Sequence, residues 1–252
     1  VVGGEHTGSG IFKKFGIIRR SVMSKTTDYS ARLVITAPNI NANRKEDLMV
    51  DMNYSAIPLS AACVISYPFM IYQLRQFFTN EFGGQIYYNY LDKETRSLKQ
   101  VEIDNPQIAF SDDRFDKELN EFIHGYSNRF KPVMIPNKEN KELQLKFKGY
   151  SISEEDYKNG KRENEKMIER PITWVDIFYI CAVAATEDKM CMISRYPIDS
   201  HFNQLYTKMH ISSTIETEPM VINGKFYKWY PKIRESDIGS DTSNKFIDSC
   251  QL

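Results

Sequence analysis

The residues that could do chemistry are few and scattered. Cysteines stand at 63, 181, 191 and 250, and no pair has the CxxC spacing of a zinc knuckle or a redox dithiol. They read as reduced thiols of a cytosolic protein. Histidines 6, 124, 201 and 210 are isolated and no HExxH occurs, so each reads as an ordinary polar or core residue. The glycines of GGEHTGSG, residues 3–10, are a flexible loop, because no Lys-Ser/Thr follows Gly10 as a P-loop requires. GxGxxG and GxSxG are also missing. Asp112-Asp113 and Glu154-Glu155-Asp156 read as acidic surface.

What remains is charge. Lys plus Arg and Asp plus Glu each number 33 in 252 residues, so there is no global basic excess to hold nucleic acid. Locally the balance is uneven. Residues 1–35 carry six bases against Glu5 and Asp28, a balance of +4. Residues 102–121 hold seven acids and two bases, and residues 189–234 hold seven bases and three acids. The two outer parts are therefore the candidates for phosphate contact. The bland alternative is that such runs are solvated faces.

Elements must position these groups. Ala31–Ala37 is rich in β-branched residues and reads as a strand closed by Pro38-Asn39. Pro58 opens a small apolar helix, and Pro68 separates it from a second helical pattern that ends at Gly83-Gly84. QIYYNYL and LKQVEI read as a hairpin, DRFDKELNEFIHGY as a helix and ELQLKFKGY as a strand. Residues 153–170 are charged and read as a surface helix or linker. ITWVDIFYICAVAA is apolar on nearly every side, which predicts a buried helix. MCMIS and QLYTKMHISST read as strands. EPMVINGKFYKWYP is a hairpin turning at Asn223-Gly224, a favoured type I′ pair. Strands and helices mix without βαβ alternation, which predicts an α+β fold or a barrel with helical insertions. The longest apolar stretch, Ile172–Ala185, holds Asp176 and is too short to span a bilayer. No signal peptide is read. The start Val1-Val2-Gly3-Gly4 lacks Met and reads as a piece cut from a longer polypeptide.

Two segments carry a resemblance. Gly16–Ile40, GIIRRSVMSKTTDYSARLVITAPNI, resembles the start of the double-psi β-barrel in the largest (β′-type) subunit of multisubunit DNA-directed RNA polymerases. Gly16, Arg19, Lys25, Asp28, Tyr29, Ser30, Arg32, Val34 and Ile35 match the family pattern without a gap. SAIPLSAACVISYPF, residues 55–69, fits the helix pair that follows there. ITWVDIFYI with KMCMISRYPIDSHF is similar to the family's helix and the strand ending in N-R-x-P, where Arg195 and Pro197 match and Ser194 replaces the Asn. The family's aspartate-rich metal loop, DxDGD, is not in this sequence. The departures are similar to those of divergent polymerases of large DNA phages.

The resemblance implies an α+β chain holding most of a double-psi barrel. Residues 1–80 would be the basic segment and the first half of the barrel, 81–170 an insertion of hairpin, helix and charged linker, and 171–252 the second half up to the metal loop. It implies template-directed transfer of nucleotides from NTPs to an RNA 3′ end by a larger assembly, with this chain inactive alone. Mg2+ would be bound by aspartates outside this chain, which itself contributes no catalytic and no metal residue. Partners would be the DNA template, the RNA transcript, a β-like subunit and the remainder of the β′-like subunit, with no membrane. The cytoplasm of an infected bacterial host, or a virion, is the expected location.

By the same resemblance Arg195 would reach the sugar of the incoming nucleotide, with Pro197 fixing the backbone beyond it. A guanidinium offers donors to a ribose hydroxyl, which separates RNA from DNA precursors. Arg19, Arg20, Lys25 and Arg32 would grip nucleic-acid phosphates without reading bases. Asp28 and Arg32 could instead pair with each other. The Tyr29 ring is expected in the core rather than as a stacking platform. The hairpin at 219–230, with Lys225, Lys228, Trp229 and Tyr230, stands where further barrel strands belong. A packed barrel hairpin is favoured there over a single-strand binder. Two other readings stay open. One is a non-catalytic nucleic-acid-binding or assembly module, distinguished by whether a DxDGD is encoded past Leu252. The other is an unrelated enzyme, which would show as a fold without a barrel in which residues 31–37 and 190–213 lie far apart.

Overall fold

A computed structural model describes residues 27–36, 53–82, 87–91, 98–124, 129–137, 142–163, 165–197, 199–212, 217–239 and 249–251. The chain mixes α and β. Its first strands are β1 Val34–Thr36 and β2 Tyr54–Pro58, followed by helices α1 Leu59–Ile65 and α2 Tyr67–Phe82. Next come β3 Tyr87–Leu91, β4 Leu98–Glu102, α3 Pro106–Ala109 and α4 Asp112–His124. After these stand β5 Met134–Pro136, β6 Glu142–Gln144, β7 Lys146–Ser151, α5 Glu154–Lys158, β8 Lys166–Pro171 and α6 Trp174–Thr186. The last part holds β9 Met190–Ser194, β10 Gln204–Ser212, β11 Thr217–Ile222, β12 Lys225–Pro231 and β13 Ser249–Gln251.

Two larger sheets organise these elements. The first has the order β1-β13-β2-β10-β9, with β1 and β13 parallel, β2 and β10 parallel, and the remaining pairs antiparallel. The second is antiparallel, β12-β11-β7-β8. The expected hairpins at β3–β4 and β11–β12 form. Asn223 and Gly224 take positive φ values of 49° and 80°, the backbone a type I′ turn needs.

Helices supply most of the core. In α2 the residues Met70, Leu74 and Phe78 recur four apart, so they line one face, and all are buried. In α4 the buried stripe is Phe115, Leu119 and Phe122. Phe78 stacks on Phe115 with centroids 5.3 Å apart, and Phe122 meets Phe178 of α6 at 4.8 Å. The α6 helix is buried on nearly every side, as its composition predicts.

Two expectations need correction. The hairpin β11–β12 does not continue the sheet that holds β9 and β10; it pairs with β7 of the insertion. Its inward residues Met220, Tyr227 and Tyr230 are buried, and Tyr179 of α6 meets Tyr227 at 6.2 Å and Tyr230 edge to face at 5.4 Å. Alternation shows that a strand has an inner face, not which sheet it joins. Residues 153–170 are not a helix or linker throughout. They form the short α5, capped by Ser153 Oγ accepting from the Asp156 N–H at 3.1 Å, and then the strand β8.

The β8 strand carries the fold's main polar contact. Arg170 is buried on it and donates from Nη1 to Asp176 Oδ2 at 2.7 Å and from Nη2 to Oδ1 at 2.8 Å. Asp176, in the first turn of α6, also accepts from the Thr173 N–H and Thr173 Oγ1, at 2.9 and 2.8 Å, and from the Tyr230 hydroxyl. One carboxylate thus ties β8, the start of α6 and β12. Burial alone would raise the Asp176 pKa, but the Arg170 charge and these donors outweigh it and hold the carboxyl below its ordinary value.

Candidate nucleotide-contacting surface

The β9–β10 pair positions the candidate site. Its register sets Ser194 opposite Gln204, Met192 opposite Tyr206 and Met190 opposite Lys208. β10 lies parallel to β2, and the buried hydroxyls of Ser55 and Thr207 hydrogen-bond at 2.7 Å. The Cys191 thiol lies 3.7 Å from the same Thr207 oxygen. These contacts tie β9, an edge strand, through β10 to β2. Beyond Ser194 the chain turns outward, and the Arg195 N–H donates to the Asn203 carbonyl at 2.8 Å, closing the neck of a connecting loop.

Arg195 and Pro197 both lie exposed in that loop, and the Tyr196–Pro197 peptide is cis. Among the described residues no carboxylate pairs with the Arg195 guanidinium. Its donors face solvent from a backbone held at the loop neck, a geometry suited to an external hydroxyl or phosphate acceptor.

Arg32 is exposed just before β1. β1 and β9 stand at opposite ends of the five-stranded order. Yet Leu33, beside Arg32, and Ile193, two residues before Arg195, both pack against the small cluster of Ile57 and Ala61. Arg19, Arg20 and Lys25 lie outside the described residues. Tyr29 is not in the core: it is 58% exposed, with φ +56°. It sits in a turn outside any strand, so no sheet face carries it inward.

The hairpin's cations are engaged within the chain. Lys225 pairs with Glu187 at 3.0 Å and Lys228 with Glu154 at 2.9 Å. The Trp229 ring meets the His210 ring edge-on at 4.0 Å, and Tyr230 is fully buried on Asp176. His210 is pushed down to about 4, first by burial and then by the nearby Lys228 charge. The hairpin therefore packs rather than presenting a binding ladder, but within the β7–β8 sheet and not in the expected barrel.

Nucleophile chemistry finds little support. Cys63, Cys181 and Cys191 are free thiols. Burial pushes Cys63 and Cys181 up, so neither presents a thiolate. Among the described residues no three His, Cys, Asp or Glu side chains gather as metal ligands. No helix among them is long and apolar enough to cross a membrane.

Sequence reasoning missed the aromatic surroundings of Arg195. Tyr196 is 81% exposed, Phe202 78% and Tyr206 67%. For Tyr206 there was a signal: in QLYTKMHIS it has the opposite parity to Met209, which packs on the Ile57–Ala61 cluster, so it falls on the other face of the strand. Comparison of the chain with protein-family models, with curated proteins and with solved structures finds no match.

Proposed function

We propose that this chain is part of the β′-type subunit of a DNA-directed RNA polymerase, and that its five-stranded sheet belongs to a double-psi barrel. The observation that carries the reading is Arg195: an exposed guanidinium at the end of β9, its loop tied by the Asn203 carbonyl. In this role its N–H groups donate to a ribose hydroxyl of the incoming NTP, while Pro197 sets the backbone direction beyond it. Further support comes from topology. Two parallel strand pairs, with β13 between β1 and β2, support this reading. The shared packing of Leu33 and Ile193 is consistent with Arg32 and Arg195 serving one surface.

In this reading Arg19, Arg20, Lys25 and Arg32 hold phosphates of template or transcript, and the magnesium-binding aspartates and the β-like subunit come from other chains or segments. A tagged form of the chain isolated from its natural source tests the assignment. It should copurify with an activity that incorporates NTPs on a DNA template and needs Mg2+. A purified complex that binds nucleic acid without incorporating nucleotides would favour the non-catalytic module instead.

A further inference from the structure

Four strands end the two larger sheets, and three of them are blunted against further pairing. β1 is three residues long. β8 carries Lys166, Glu169 and Arg170 and ends in Pro171, and β12 carries Lys225 and Lys228 and ends in Pro231. β9 differs: MCMIS holds no charge, proline or glycine over five residues. Its ladder to β10 runs unbroken from Met190 to Ser194.

That ladder fixes which amides of β9 are spare. The Arg195 N–H donates to the Asn203 carbonyl, so 195 and 203 are a hydrogen-bonded pair. Antiparallel alternation then makes Ile193–Leu205 and Cys191–Thr207 the other bonded pairs. Lys208 agrees, because its N–H turns to the Asn53 carbonyl, on the β2 side. The N–H and C=O groups of Met190, Met192 and Ser194 therefore point away from β10, where no described strand stands. The Met190 and Met192 side chains are exposed, while Cys191 and Ile193 pack toward Ile57 and Ala61 on the other face. Lys189, at the start of the strand, lies over the exposed Phe69 ring of α2 at 5.4 Å.

We propose that the outer edge of β9 receives an extended strand of another protein, apolar at alternate positions and carrying a carboxylate opposite Lys189. The outward backbone groups select a strand, since only a strand meets alternate N–H and C=O groups in one line. Charge selects its sequence. Glu187 is held by Lys225 and Asp188 by Lys208, whereas no carboxylate among the described residues pairs with Lys189. The choice rests on Lys189 and not on Arg195, which has Asp199 in its own loop. A second copy fits less well. Pairing β9 with itself about Met192 sets Lys189 opposite the copy's Arg195, which brings it no carboxylate. The docking edge goes beyond the polymerase reading and does not depend on it.

The test uses the full chain and three fluorescein-labelled peptides of alternating Val and Thr, about seven residues long to match one edge strand. One has Asp at both ends, one has Lys at both ends, and one has Asp at both ends with a central Pro. The Asp peptide should bind one to one. The Lys peptide should bind about fivefold more weakly and the Pro peptide about tenfold. In the free chain the amides of Met190, Met192 and Ser194 should exchange with solvent rapidly and those of Cys191 and Ile193 slowly. The Asp peptide should slow the first three. Met192→Pro removes an outward N–H and no ladder bond, so it should fold and bind about tenfold more weakly. Lys189→Glu, at an exposed position, should reverse the preference between the Asp and Lys peptides. Protection of the three outward amides in the free chain overturns the open edge. So does an Asp peptide that fails to bind at about 1 mM, or a preference unchanged by Lys189→Glu. A chain that sediments as a dimer with those amides protected overturns the proposed occupant and gives the edge to a second copy.

Discussion

The Arg170 guanidinium and the Asp176 carboxylate form a two-pronged ion pair with both groups out of solvent, at 2.7 and 2.8 Å. It joins the edge strand of the second sheet to the first turn of the central helix, and the Tyr230 hydroxyl adds the hairpin to the same carboxylate.

Breaking that pair from one side leaves a buried charge alone. Asp176→Asn should cost about 3–5 kcal/mol in urea unfolding, while Tyr230→Phe, which removes one donor, should cost about 1.5–3 kcal/mol. The double change Arg170→Met with Asp176→Leu should cost less than Asp176→Asn. Because the folded Asp176 pKa lies below its unfolded value, its stabilisation is fully present above the ordinary carboxylate range. It is lost as pH falls through the depressed folded value. Equal costs for the single and double changes would contradict this.

His210 gives a second pH dependence. Its folded pKa of about 4 lies below the ordinary 6.5, so the unfolded chain takes up the proton first. Stability should be complete above pH 6.5 and fall between 6.5 and 4, by up to about 3 kcal/mol. His210→Gln should flatten the melting temperature over that window. An unaltered slope in the variant would assign it elsewhere.

At the hairpin, a Cβ on Gly224 would meet nothing within 4 Å, so any cost is conformational. With φ at +80°, Gly224→Ala should lose about 1–2 kcal/mol in chemical denaturation. No loss would mean that the turn re-forms in another type.

Much of this fold is readable from local pattern, because the patterns are local. Asn223-Gly224 demands positive φ, and the α4 stripe of Phe115, Leu119 and Phe122 repeats at helical spacing. β8 was not readable, because its buried inward position is Arg170, a charge that inverts the usual apolar-in pattern. β2 was hidden because it ends in Pro58, which also opens α1. The hairpin's partner, β7, is set by burial of Tyr227 and Tyr230 against α6, a contact with no local sequence signal. In the candidate site Arg195 came from its motif, whereas the exposure of Tyr196, Phe202 and Tyr206 depends on which sheet face has a core beneath it.

Under the proposed polymerase reading, the most direct measurement is kcat/KM for NTPs and dNTPs by the assembled enzyme carrying Arg195→Ala. Loss of charged donors to a ribose hydroxyl should lower NTP use about 10–100-fold and leave dNTP use nearly unchanged, so ribose discrimination collapses by the same factor. Arg195→Lys should restore only part of it. Unchanged discrimination, or equal losses with both substrates, would contradict a sugar contact at residue 195.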